Sequence, residues 1–538
     1  MHVRGVAQPG SVLAWGASGR EFESHRPDQS NPKGSEFGAF FISFEHVLQF
    51  STRLMAMKRA YKLTAVAVAL VAVLGLAVAF YYAYRLAAVG AAYKAKILCS
   101  GVFVSERDPH SVLNTDLAGD DLAALRLVNT HIDRELNKVT ADFLGFITRT
   151  AVFQNKRGCT VVYENVERPS AQSAGSSNRD ISAKPEGDFG GEKGLPAQVN
   201  TARLNSALEW AFAERDPVTP RNTRAVVVVH DGHLVAERYA DGFSKSTALA
   251  GWSMTKSVIN ALVGVLVQEG KISLQDPVPI TAWKSPGDMR RAITWEQLLR
   301  MNSGLQFDED YRNPLADVTH MLFGVPSAAG YAIAKPLEVE PGTRWSYSSG
   351  TTNIISFAIR KVVGDPDYLD FPRRALFDRL GMQSAVMESD ASGTFVGSSF
   401  MYATARDWAR FGLLYLRDGV WSGQRILPEG WVAFARKPTP DAPDQTYGAH
   451  FWLRVPKEFH CGNGTDALPP DVFHAIGYEG QFVTIIPSRK LVLVRLGLTR
   501  RPCAWDHPEF VRLVLAAIAD GMLSNAAPGT GAPPLAVR

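Results

Sequence analysis

Cysteine is scarce in this sequence, four in 538 residues, and net charge is almost absent: 57 Lys and Arg against 53 Asp and Glu, a formal +4. So few cysteines exclude a disulfide-dense mini-scaffold and argue against a metal-cluster protein. Near-balanced charge on a chain of this size argues against a nucleic-acid binder built on a basic face. There is no His-Glu-x-x-His zinc helix, no phosphate-binding glycine loop and no internal repeat. What remains is 46% hydrophobic, 20% charged and 10% aromatic. That is ordinary globular composition, which excludes whole-chain disorder and collagen-like structure.

From Leu63 to Tyr84 the chain carries no charge and is nearly all Ala, Val, Leu, Phe and Tyr. A helix of about 20 such residues spans a bilayer core of about 30 Å. Lys58, Arg59 and Lys62 precede the run, and Tyr81, Tyr82 and Tyr84 close it, the pattern of a basic cytoplasmic flank and an interfacial aromatic belt. The run exceeds the roughly 7–15 residue apolar core of a cleaved signal peptide. It predicts a signal anchor over residues 55–96, in the bacterial cytoplasmic (inner) membrane, with the bulk of the chain exported to the periplasmic side.

All four cysteines follow the span. An even count in an oxidising compartment predicts disulfides, and of three possible pairings Cys99–Cys159 with Cys461–Cys503 staples one local region each. Leu98 before Cys99 argues against a lipid-anchored cysteine. Residues 1–54 look foreign to the rest: Val6 to His25 resembles the conceptual translation of a structural-RNA gene. Met55 or Met57 would open the chain just before the basic flank, so no stable fold is expected upstream.

Residues 97–165 read as a small membrane-proximal α+β module, with a strand at Gly101–Ser105, a helix around Asp121–Phe146 and a strand at Cys159–Tyr163. Residues 166–200 are Ser-, Gly- and charge-rich, a linker, and 524–538 a disordered Pro/Gly-rich tail. Between them, 201–523 holds two hairpin patterns, Arg224–His230 with Leu234–Arg238 and Phe482–Ile486 with Leu491–Arg495, around a long helical stretch. The expected fold is mixed α/β (α+β): an antiparallel sheet flanked by helices with an inserted helical subdomain, preceded by one transmembrane helix. A site is expected in the cleft between sheet and insertion.

The chemistry lies in three motifs. Gly251-Trp252-Ser253-Met-Thr-Lys256 opens an apolar helix, and positions i and i+3 share a face, so Ser253 and Lys256 can meet. The positive helix N-terminus and burial both favour a neutral amine able to take the serine proton. Ser-x-x-Lys alone is weak: Ser30-Asn-Pro-Lys33 repeats it where Pro32 forbids a helix. Further on, Tyr347 in a turn-rich loop could reach the pair as phenolate or by sharing a proton with the lysine. Last, Gly477-Tyr478-Glu-Gly480 enters a strand whose Tyr478 N–H, with that of Ser253, could form an oxyanion hole. His230 and His233 flank a hairpin turn and read as solvated side chains.

In this order the motifs resemble the serine beta-lactamase and penicillin-binding-protein superfamily, in its class C-like branch, close to 6-aminohexanoate-dimer hydrolases and family VIII esterases. Thr294–Gly304 and Tyr402–Gly412 fit as well. The resemblance implies Ser253 as nucleophile, Lys256 as its activating partner and Tyr347 as acid/base, with Trp252, Ser349, Ile476 and Gly477 contacting substrate. The implied partner is a small amide, peptide or ester, with no metal, cofactor or nucleic acid. Two departures stand out. Ser349 occupies the place of an asparagine, and Ala475-Ile476-Gly477 stands where the branch has Lys-Thr-Gly, removing an anchor for a beta-lactam carboxylate. The expected activity is therefore amide or ester hydrolysis through an acyl-enzyme. The alternatives are a beta-lactamase or D-alanyl carboxypeptidase, and a non-catalytic envelope scaffold.

Overall fold

A computed structural model describes residues 44–155, 157–163, 199–462 and 468–523. Residues 1–43, most of the expected linker and the 524–538 tail lie outside the described residues. The chain divides into two compact units, 1–77 and 78–538.

The described part of the first unit is helical and belongs to α1 (Phe44–Cys99). Leu63, Leu70 and Leu76 are 71%, 64% and 71% exposed, and the stretch is long and apolar enough to cross a membrane. Residues 44–54 are helical where no stable fold was expected. They contain neither Pro nor Gly, so nothing stops the helix from extending upstream.

In the second unit α1 is buried from Ala87 onward. The expected strand Gly101–Ser105 is instead a π-helical continuation at Ser100–Val104, which packs against α2 (Pro109–Thr115). The expected helix over 121–146 is also corrected. After a 3₁₀ turn it forms β1 (Val128–Asp133) and β2 (Lys138–Phe143), joined by β3 (Ile147–Gln154) and β4 (Gly158–Val162) in an antiparallel β1-β2-β3-β4 sheet. Val139 and Ala141 are buried while Lys138, Thr140 and Asp142 are not; that period of two outweighs the helical propensity of the segment. Cys99 and Cys159 are disulfide-bonded. Cys461 and Cys503 are free, contrary to the expected second bridge, and Cys461 Sγ donates to the Trp505 carbonyl at 3.9 Å.

After α3 (Thr201–Phe212), β5 (Thr223–His230) and β6 (His233–Tyr239) form the first hairpin. Next come β7 (Leu249–Ala250), α4 (Met254–Gln268), α5 (Trp295–Leu299), α6 (Asp317–Phe323), α7 (Ala328–Ile333) and α8 (Ser349–Val363). Then β8 (Val386–Met387), β9 (Met401–Ala403) and α9 (Ala405–Leu416) lead to β10 (Phe473–Gly477), β11 (Gln481–Ile486), β12 (Leu491–Gly497) and α10 (His507–Leu523). The main sheet is antiparallel, ordered β10-β11-β12-β5-β6.

Both faces of that sheet are covered. Ala225, Val227 and Val229 of β5 join the core with α4 and α9, whereas Val226 and Val228 join the core with α3 and α10. Each fully buried Val or Leu is worth about 1.5–3 kcal/mol, so the sheet is a rigid platform. His230 closes β5 and is buried, with Nδ1 unpartnered, not solvated as its place beside the turn suggested. His233 remains partly exposed.

Candidate active site

The site begins where β7 pairs with β9 and the chain then turns sharply. Trp252 has φ of 47°, a left-handed conformation that bulky residues rarely adopt. The turn delivers Ser253 to the N-cap of α4. The helix that follows is buried from Met254 through Leu266, which makes it the wall of the cleft. Ser253 itself is half-buried while Lys256 is 1% exposed.

Lys256 Nζ lies 2.9 Å from Ser253 Oγ, 3.0 Å from Ser349 Oγ and 3.1 Å from the Ser398 carbonyl. The Tyr347 ring centroid is 4.8 Å from Lys256 Nζ, and its phenol is near enough to the Ser253 hydroxyl to be lowered by it. The hydroxyl, the amine and the phenol therefore converge. Ser349 is the first residue of α8 and fully buried.

Burial lowers the Lys256 ammonium to about 8, partly opposed by the charge of Glu309. Burial raises Tyr347, as does Glu309, and the Ser253 hydroxyl nearby offsets only part of this. Both causes favour the neutral phenol over the phenolate, one of the two forms considered from the sequence. The group poised to take a proton near neutral pH is Lys256.

Glu309 did not stand out in the sequence. It accepts from Ser349 Oγ at 2.5 Å, Ser349 N at 2.8 Å and Tyr311 OH at 3.2 Å. It lies in Asp308-Glu-Asp-Tyr311, and an acidic run reads as a solvated loop; no sequence signal distinguishes it. Aromatic rings line the cleft on two sides. Tyr311 stacks on Tyr478 at 5.1 Å, and Tyr347 lies 5.5 Å from Trp452 and 5.7 Å from Tyr447.

The remaining expected contacts divide. Gly477 abuts the turn at 251–253: a Cβ there would lie 2.1 Å from the Gly251 carbonyl oxygen, so only glycine permits this approach. That brings Tyr478 beside residues 251–253. Ile476 does not face the cleft; its side chain is buried in the core cluster of α3 and α10, because strand alternation turns it opposite to Ala475 and Gly477. His474 turns the same way, to Thr484 at 2.9 Å. Trp252 is also buried, with Nε1 donating to Glu479 at 3.2 Å; its ring is held by protein, not offered to substrate.

A family model described as Beta-lactamase matches residues 219–503. The chain belongs to the beta-lactamase family. This beta-lactamase-family chain is 26% identical over 354 residues to the 6-aminohexanoate-dimer hydrolase of Paenarthrobacter ureafaciens, covering 57% of itself and 85% of that relative. An uncharacterized protein of Alkalihalophilus pseudofirmus is 23% identical over 300 residues, covering 50% and 82%. Among solved structures, a family VIII carboxylesterase aligns with a TM-score of 0.47 at 17% identity, over 60% of this chain and 98% of its own. A penicillin-binding protein homolog from Caulobacter crescentus gives 0.46 at 17% identity, over 60% and 99%. The family is one of serine hydrolases, and the chain is an enzyme of that class.

Proposed function

We propose that this chain is a membrane-anchored, exported serine hydrolase that cleaves amide or ester bonds through an acyl-enzyme on Ser253. The observation that carries the reading is the contact of Lys256 Nζ with Ser253 Oγ at 2.9 Å, with the Tyr347 ring centroid 4.8 Å from the same amine. Ser253 Oγ attacks the carbonyl carbon as its proton passes to neutral Lys256. Backbone N–H groups of Ser253 and Tyr478 stabilise the tetrahedral oxyanion. Collapse expels the leaving amine or alkoxide, protonated from the lysine by way of the Tyr347 phenol. Water then loses its proton to the same pair, attacks the ester on Ser253 and frees the acid.

The relative named for hydrolysis of a 6-aminohexanoate dimer supports an amide-bearing small molecule as the substrate class. The buried apolar Ala475 at the start of Ala475-Ile476-Gly477 supports substrates that need no carboxylate anchor there, which weighs against a beta-lactam or a D-alanyl peptide. The exposed apolar stretch of α1 supports anchoring, and the Cys99–Cys159 bridge supports an oxidising compartment.

Intact-mass measurement after incubation with a fluorophosphonate and with a p-nitrophenyl ester tests the reading. One adduct on Ser253, absent in Ser253→Ala together with esterase activity, is expected. Full ester hydrolysis by Ser253→Ala would overturn it, and a penicillin adduct that survives denaturation would favour the penicillin-binding alternative.

A further inference from the structure

The two stretches flanking the reactive groups, 251–253 and 477–480, are each held in conformations that non-glycine residues avoid. Trp252 has φ of 47° and Glu479 has φ of 61°. The two residues are bonded to each other, Trp252 Nε1 to Glu479 Oε2 at 3.2 Å, and Trp252 also meets Tyr478 edge-on at 5.7 Å. Such strain persists only where the surroundings over-determine it.

The restraint leads out of the 201–523 region, through Arg500 to Asp116. Glu479 Oε1 accepts from Arg500 Nε at 3.0 Å, and Arg500 donates its other end to the backbone carbonyl of Asp116. The Asp116 carboxylate is held by Arg224 of β5 at 2.9 and 2.7 Å and by Arg107 at 2.8 Å. Asp116 caps α2 and Arg107 just precedes it; both belong to the membrane-proximal module. The same module is closed on itself by the Cys99–Cys159 bridge and is fastened to the 201–523 region by Glu388, which accepts from Ser100 Oγ at 2.8 Å and Cys159 N at 2.7 Å. Arg107, Arg224 and Glu479 are 8%, 7% and 6% exposed. Charges so buried are costly unless paired, so the network has one favourable arrangement, and in it Glu479 meets Trp252. Burial works to raise the Asp116 carboxyl, but Arg224 and Arg107 outweigh it and hold it well below the usual range.

We infer that the module is a working part of the active site: Asp116, Arg107, Arg500 and Glu479 are positioning residues that act through Trp252 and Tyr478 to fix the oxyanion-binding backbone beside Ser253. This rests on the reading of Ser253 as nucleophile. A module that served only as a tether would be indifferent to catalysis once folded.

The test compares full-length wild type, Asp116→Asn, Glu479→Gln and Glu479→Ala in detergent micelles. It reads kcat and KM for a p-nitrophenyl ester, thermal unfolding, and hydrogen exchange over 251–256 and 477–481. The expected result for Asp116→Asn is folded protein whose kcat falls about tenfold to hundredfold with KM within about threefold, and faster exchange in both stretches. Glu479→Gln keeps an acceptor for Trp252 and retains more kcat than Glu479→Ala. Wild-type kcat and unchanged exchange in folded Asp116→Asn overturn the inference. Should Asp116→Asn not fold, the two Glu479 variants decide it, and equal losses in both overturn it. If wild type gives no Ser253 adduct, the hydrolase reading fails, while exchange still reports whether the module restrains the two stretches.

Discussion

Glu309 takes the Ser349 hydroxyl proton across 2.5 Å, so Ser349 Oγ can only accept from Lys256 Nζ, 3.0 Å away. The Ser398 carbonyl, at 3.1 Å, likewise can only accept. Two of the amine's directions are therefore committed to N–H donation. When Lys256 is neutral, its lone pair is left facing Ser253. Orientation of the base is set two bonds away, by a carboxylate.

Glu309→Ala frees the Ser349 proton to occupy the lysine lone pair in competition with Ser253. The expected loss in kcat is about tenfold to hundredfold, within the range of a disturbed general base. A substrate-saturated assay with a p-nitrophenyl ester measures it; unchanged kcat would remove Glu309 from the mechanism.

The pH profile follows from the lysine. Only neutral Lys256 accepts the serine proton, so kcat/KM should rise with pH through a midpoint near 8 and then level off, because Tyr347 is raised and stays protonated. Glu309 favours the ammonium form; Glu309→Gln should therefore move the rising limb to lower pH. A limb that stays put or moves upward contradicts the assigned charge relation.

How far the sequence carried this picture can be told from particular residues. Ser253, Lys256 and Tyr347 were legible because one helical turn and a turn-rich loop leave local marks. The two hairpins of the main sheet were legible too, since Asp231-Gly232 and alternating valines state their geometry. Glu309, Arg500 and Asp116 were not, because their roles arise from contacts between separate segments, 40 positions apart for Glu309 with Ser349, 108 for Arg224 with Asp116 and 384 for Arg500 with Asp116, that no local pattern encodes. The 121–146 helix was misread where Val139 and Ala141 obey a period of two that the surrounding Leu-rich turn obscures. Ile476 was assigned to the cleft by motif position, and strand parity turns its side chain away.

Gly477→Ala adds a carbon that would sit 2.1 Å from the Gly251 carbonyl oxygen. Backbone lies on both sides of that contact, so the strand end must retreat from the nucleophile turn. A displacement of about 1 Å at reacting groups can cost about a hundredfold in rate. The expected outcome is a folded protein with kcat lowered by that order and slower fluorophosphonate labelling of Ser253. Labelling at the wild-type rate would refute the role given to this close approach.

Cysteine labelling separates the two pairs. Cys99 and Cys159 are bonded, whereas Cys461 and Cys503 are exposed free thiols. Burial pushes the Cys461 thiol up to about 12, helped by Cys503 beside it, so thiolate is scarce and alkylation at neutral pH should be slow. Mass spectrometry after prolonged iodoacetamide treatment should find two labels without reduction and four after reduction and unfolding. A count of zero before reduction would restore the second bridge.

Acid should weaken the fold through its buried histidines. Burial holds His474 and His450 down to about 3, the latter also through Lys256, and holds His507 well below its ordinary value too. The unfolded chain binds these protons near pH 6.5 while the folded chain refuses them. Their stabilising contribution is thus complete above pH 6.5 and lost as pH falls toward the folded values. Each site contributes a slope of up to about 1.4 kcal/mol per pH unit. Glu309, Glu479 and Asp390, all raised by burial, bind protons early in the folded state and offset part of the decline. The comparison of wild type with His474→Gln isolates one histidine. Between pH 6.5 and 4.5, the stability of the variant measured by urea unfolding should fall less steeply, by about one proton's slope. Identical slopes would mean that His474 is protonated in the folded protein and that its contact with Thr484 does not depend on a neutral ring.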